Sequence, residues 1–223
     1  MTHGTFIDKV LLRLNKLYSQ DYNDIDLYKL EEAANKAVDD VVRRLIKGNN
    51  QKREGDEETS SRIDDIAVLL KSKPLVIKDN GIFTEGKIPD DYRYYKRLTP
   101  IVSKESCKDI RIKSSFLEEA NVDDFLIDYS SQPSFDFEET FHTQVGKVFR
   151  IYHNNDFNID EVILLYYRNP KYLGLESEDK TTVWEFKEDL CEVFVDEAVK
   201  IIAGDTENVI QHQLADKRID QNI

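Results

Sequence analysis

Apolar residues recur with two different periods along this chain, and the change of period limits the fold more than any other feature. Near the start, Phe6, Ile7, Val10, Leu11, Leu14, Leu17 and Tyr18 follow the i, i+3, i+4, i+7 series of one helix face. Thr5 is placed to cap that helix. Leu27, Leu30, Ala34, Val38, Val41 and Leu45 repeat the series over a helix predicted for Leu27–Lys47, capped by Asp26 and ended by Gly48. A third, short helix is expected from Ser60 or Ser61, with Ile63, Ile66, Ala67 and Leu70 on one face and Pro74 closing it. The period then shortens to two. Asn80-Gly81 between "PLVI" and "GIF" is a hairpin signal. Ile110 and Ile112 alternate with Arg111 and Lys113, and Phe135 and Phe137 alternate along "PSFDFEETF". Val162 to Tyr167 is apolar throughout, as in a strand buried inside a sheet. Helical spacing returns over Trp184–Ala203, with Phe186, Leu190, Val193, Phe194, Ala198 and Ile201 on one face. A weaker helix is expected after Thr206.

The pattern predicts an α+β protein: a helical bundle from residues 1–72 and 183–215, an inserted antiparallel β-rich domain over 73–182, and a mobile tail over 216–223. Between the second and third helices lies "NQKREGDEETSSRIDD", Asn50 to Asp65, in which Ile63 is the one apolar residue. That connector joins two helices while staying out of the core.

At 223 residues the chain buries roughly 70% of its unfolded surface and needs no disulfide or metal to hold it. A formal net charge of −13 repels nucleic acid on average. Cys107 and Cys191 form no CxxC pair, so free thiols and assembly in a reducing cytoplasm are expected. No apolar run approaches the ~20 residues of a membrane span, and "MTHGTFIDKVLLRLNK" lacks the features of a signal peptide.

Patterns that carry chemistry are incomplete. Asp21, Asn23 and Glu32 occupy positions one, three and twelve of a calcium loop, but Ile25 and Asp26 stand where a ligand and a glycine are needed. Acids at a helix start explain the same residues. "NNDFNIDE", Asn154 to Glu161, reads as a turn between strands. Glu185-Phe186-Lys187 has the Glu-x-Lys form of metal-dependent nucleases, placed at a helix start instead of on a strand. His3, His142, His153 and His212 have no ligand spacing, and the phosphate-loop, dinucleotide and nucleophile-elbow motifs are missing. No enzyme activity, cofactor or metal is expected.

Arg43, Arg44, Lys47, Lys52 and Arg53 form the densest basic patch. It suits phosphate contact, or the negative end of its own helix and the acids of Glu54–Glu58. Tyr166, Tyr167, Arg168 and Tyr172 gather at one strand end, and tyrosine is enriched both in strands and at interfaces.

The stretch "NKAVDDVVRRLIKGNNQKREGDEETSSRIDDIAVLL" resembles the N-terminal part of virion proteins of crAss-like phages, short-tailed bacteriophages of gut Bacteroidales. "VILLYYRNPKYLGL" and "EDLCEVFVDEAVKIIAGDTEN" resemble the C-terminal half of the same group. The resemblance implies a head-to-tail connector, a neck or collar ring protein. It implies a homo-oligomeric ring, often twelvefold, stacked between portal and tail proteins in the virion, with DNA passing through unbound. Such a subunit needs two unlike surfaces that meet head to tail. Arg43, Arg44, Lys47, Lys52, Arg53, Tyr166, Tyr167, Arg168 and Tyr172 are then candidate interface residues. Two other classes fit the composition: an acidic binding or regulatory module, and a metal-dependent nuclease resting on Glu185 and Lys187.

Overall fold

Leu27–Lys47 forms the helix that its apolar stripe predicts, and Asp26 caps it by accepting a hydrogen bond from the Tyr28 amide at 3.2 Å. The computed structural model describes residues 1–15, 25–47, 64–174 and 181–205. Most of the polar connector, Lys52 and Arg53, the helix expected after Thr206 and the tail 216–223 lie outside the described residues. The chain is α+β, with two sheets rich in antiparallel pairing. It divides into two compact units, Met1–Val68 with Pro170–Ile223, and Leu69–Asn169.

The first unit holds α1 (His3–Asn15), α2 (Leu27–Lys47) and a later helix, Glu188–Asp205. The cap of α1 is Thr2 and not Thr5: its Oγ1 accepts from the Thr5 amide at 3.2 Å. The later helix begins at Glu188, four residues after the expected start. Trp184 precedes it because its amide donates to the Met1 carbonyl, beside a bridge between Thr2 and Val183. The Trp184 ring is packed edge-on by Phe6, Phe194 and Phe186. Glu188–Asp205 packs on both α1 and α2, so it is buried nearly all round. Leu190, Cys191, Phe194, Val195, Ala198 and Val199 are all covered, so apolar contact is made on more than one side of the helix.

The second unit is layered. Its strands are β1 (Leu70–Pro74), β2 (Ile77–Asp79), β3 (Phe83–Lys87), β4 (Tyr92–Lys104), β5 (Cys107–Arg111), β6 (Lys113–Phe116), β7 (Glu139–Val145), β8 (Val148–Tyr152) and β9 (Asn158–Arg168), with α3 (Val122–Ile127) between β6 and β7. One sheet runs β1-β9-β4-β5 and the other β2-β3-β8-β7-β6. Leu70–Pro74 is thus a strand paired with β9, not the end of a third helix. The expected third helix is present in part: residues 64–66 are helical, and a 3-10 turn, Ala67–Leu69, leads from them into the strand. Pro74 sits on an edge strand, where its missing N–H costs no ladder bond.

Leu98, Val162, Leu164 and Tyr166 from one sheet meet Phe149 and Ile151 from the other in the main core. The outer face of the five-stranded sheet is covered by α3, where Val122 packs on Phe141 and Tyr152. β9 lies inside its sheet, between β1 and β4, so both its edges are paired, and Val162, Leu164, Tyr166 and Tyr167 are buried. The chain changes sheets at Ile112. Its amide donates to the Pro100 carbonyl in the first sheet, and the next amide, Lys113, donates to Glu138 beside the second. Ile112 is buried with Val102 and Phe157 at that corner.

The Asn80-Gly81 turn joins β2 to β3. Gly81 has φ +93°, a region open to glycine and strained for other residues. Phe135 and Phe137 lie in a turn instead of a strand, since Ser134 and Glu139 pair with each other across them.

Candidate functional site: the basic helix end, the tyrosine strand end and a cleft over β7

The helix Glu188–Asp205, α4 hereafter, carries acids in the middle of an apolar run. Glu192 and Asp196 lie one turn apart, and both meet Arg13 of α1. Arg13 Nη1 is 2.6 Å from Asp196 Oδ1, and Arg13 and Lys9 both pair with Glu192. Burial pushes the Glu192 carboxyl up, but Lys9 and Arg13 outweigh it and hold the group below its ordinary value. Glu197, on the adjacent side, takes Arg44 of α2 at 2.5 Å. Asp196 and Glu197 are both buried, so the arginines satisfy charges that would otherwise be stranded.

This placement divides the predicted basic patch. Arg44 is turned to an acid of its own chain, Glu197, and the acids Glu54–Glu58 lie outside the described residues. Arg43, the preceding residue, is exposed. Lys47 ends α2. Lys52 and Arg53 lie outside the described residues. The acids that receive Arg13 and Arg44 were missed from sequence, although charges inside "LCEVFVDEAVK" are the signal that marks such partners.

The tyrosine cluster at the end of β9 is likewise divided. Tyr166 is fully buried, and its hydroxyl donates to Asp91 Oδ1 at 2.7 Å. Burial, with that carboxylate beside it, raises the phenol pKa above the ordinary tyrosine range. Lys71 holds the other Asp91 oxygen at 2.6 Å. Tyr167 is also buried, so these two rings are core and leave little surface for a neighbour. Arg168 is half-buried, with Nη1 donating to the Asn169 carbonyl at 3.0 Å.

Tyr172 belongs to a short passage that α2 holds in place. Asn35 accepts from the Leu173 amide at 2.8 Å and donates to the Leu173 carbonyl at 3.1 Å. One turn later, Asp39 accepts from the Tyr172 hydroxyl at 3.1 Å. The Tyr172 ring itself is half exposed. On the other side, Trp184 Nε1 donates to the Lys171 carbonyl and Glu185 accepts from the Lys171 amide at 2.9 Å. Glu185 of the nuclease-like pattern therefore holds backbone, and Lys187 lies 3.5 Å from Asp65. Among the described residues no group of three or more His, Cys, Asp or Glu is arranged to hold a metal ion. No described helix is long and apolar enough to cross a membrane. Cys107 is exposed and Cys191 buried, both as free thiols, and burial pushes the Cys191 thiol up to about 11.

The second unit contains a cleft of about 1030 Å³. It exists because β6 and β7 pair in parallel, and a parallel pair needs a crossover. Residues 117–138 make that crossover, and the cleft opens between them, the start of β7 and the turn after β8. Asp128 pins the crossover by accepting from the Ser130 amide and from the Ser130 and Ser131 hydroxyls. Those bonds hold its carboxyl below the ordinary value. Asp156 ties the returning chain down, accepting from the Phe135 amide at 2.8 Å and from Lys104 at 2.6 Å. Asn154 and Asn155, in the facing turn, have φ of 47° and 59°, a conformation asparagine adopts more readily than most residues.

Compared with models of known protein families and with curated proteins, the chain matches none.

Proposed function

We propose that this protein is a structural subunit of the head-to-tail connector of a short-tailed phage. It assembles with copies of itself into a closed ring around the DNA path, between the portal and other neck or tail proteins. It is made in the bacterial cytoplasm and carried in the virion, and it performs no catalysis. In this reading the helical unit is a bundle formed by both ends of the chain, and the strand unit is an inserted domain. The two supply the unlike surfaces that a head-to-tail contact requires. The net charge of −13 keeps passing DNA from sticking where acids face the channel.

The observation that carries the proposal is the contact between two stretches through which the chain resembles connector proteins. Asn35 of "NKA" holds the backbone of Leu173 in "YYRNPKYLGL" from both sides. Motifs 138 residues apart thus serve one local structure. Arg43 and the half-exposed Tyr172 ring, both on or beside α2, are the described residues best placed for a neighbouring subunit.

Light scattering with negative-stain imaging, alone and with the portal, tests the proposal. The expected product is a closed ring of many copies. A protein that stays monomeric in both settings contradicts it and favours the acidic binding module.

A further inference from the structure

The cleft over β7 has no part in the connector reading. We propose that it binds a neutral oligosaccharide, stacked on Tyr129 and Phe137 and hydrogen-bonded by Asp136, Gln132 and Asn155.

Its volume of about 1030 Å³ is at the upper end for small-ligand sites and leaves room for several sugar rings. Four aromatic residues line it, three of them exposed above a buried Phe141: Tyr129 is 84% exposed, Phe137 76% and Phe125 37%. Single exposed rings are ordinary on a protein surface, but several around one concavity mark a ligand face. The face of an aromatic ring carries partial negative charge, and the C–H face of a pyranose carries the opposite.

Between the rings the lining is polar. The Ser130 and Ser131 hydroxyls each donate to Asp128 at 2.8 Å, which leaves their lone pairs to accept a ligand hydroxyl. Asp136 is exposed and accepts only, while the amides of Gln132 and Asn155 both donate and accept. A sugar hydroxyl is itself donor and acceptor, so it fits this mixture where a purely apolar ligand does not.

Charge separates the oligosaccharide from other occupants. No lysine or arginine is among the lining residues, so an anionic ligand would find no cation to pair with inside the cleft, where Asp136, Glu139 and Asp156 lie. A basic peptide would find those acids already neighboured by lysines. Lys104 pairs with Asp156 and also feels Asp136, and Lys113 is 4.0 Å from Glu139. What remains is a polar, aromatic and nearly neutral surface.

The test applies the full chain to an array of neutral, uronate-bearing and sulfated glycans, with an oligolysine peptide in parallel, and measures affinity for the best neutral glycan by calorimetry. Binding to neutral glycans is expected, weakened at least tenfold by Tyr129→Ala and by Phe137→Ala with an unchanged melting temperature. Both rings are exposed, so the variants fold. Asp136→Asn is expected to weaken binding less. The proposal is overturned if no neutral glycan binds, if acidic glycans or oligolysine bind better, or if affinity survives both aromatic substitutions.

Discussion

Arg44 Nη2 lies 2.5 Å from the Glu197 carboxylate and joins helices whose residues are 153 positions apart. Glu197 is buried, so truncating its partner strands a charge. Arg44→Ala is expected to lower stability by about 3 kcal/mol, whereas Arg44→Leu combined with Glu197→Leu recovers most of the loss. Denaturant unfolding of the single and double variants checks this.

His142 predicts an acid-sensitive core. Its ring is fully buried among Tyr95, Phe116 and Phe149. Nδ1 is 2.7 Å from the Ser114 hydroxyl, and Nε2 has no partner among the described residues. Burial lowers its pKa from 6.5 to about 4. The unfolded chain binds the proton first, so this contribution is complete above pH 6.5 and is lost as pH falls through 4. The difference is worth about 3 kcal/mol. Unfolding measured from pH 7 to 4 is expected to show one proton less of pH dependence in His142→Leu than in the parent.

Tyr166→Phe removes the hydroxyl from Asp91 but leaves Lys71 on the same carboxylate. The expected cost is about 1 kcal/mol, with no change in assembly, because Tyr166 is core. A changed oligomeric state in this variant would contradict its placement.

Much of this architecture is legible in the sequence because it rests on local signals. The stripe from Leu27 to Leu45 marks α2 with its Asp26 cap, Asn80-Gly81 marks the first hairpin, and Val162 to Tyr167 marks the interior strand β9. The misreadings come from long-range effects. Ile66, Ala67 and Leu70 fit a helical face, but pairing with β9 makes Leu70–Pro74 a strand. Trp184 fits the start of α4, but the Met1 carbonyl and the aromatic cluster hold it outside. For the candidate site, composition marks Arg43–Arg44 and the tyrosines but not their directions. Those depend on Glu197 and Asp91, far away in the chain. Asn35 looks like an ordinary helical residue until the returning backbone at Leu173 is placed beside it.

That contact supplies a further prediction. Leu173 is buried, so Asn35→Ala leaves its amide and carbonyl without their partner. A loss of about 2 kcal/mol is expected, with Asn35→Asp recovering part of it through the retained acceptor. Thermal unfolding of the two variants distinguishes a backbone clamp from a surface residue, which would show a negligible change.

The most direct test of the connector proposal is a reconstruction of the neck of purified virions that carry this protein. The account predicts a closed ring of identical copies between portal and tail, with the described fold fitting each copy and unlike surfaces meeting between neighbours. Virions that lack the chain, or hold it outside the neck, would contradict it.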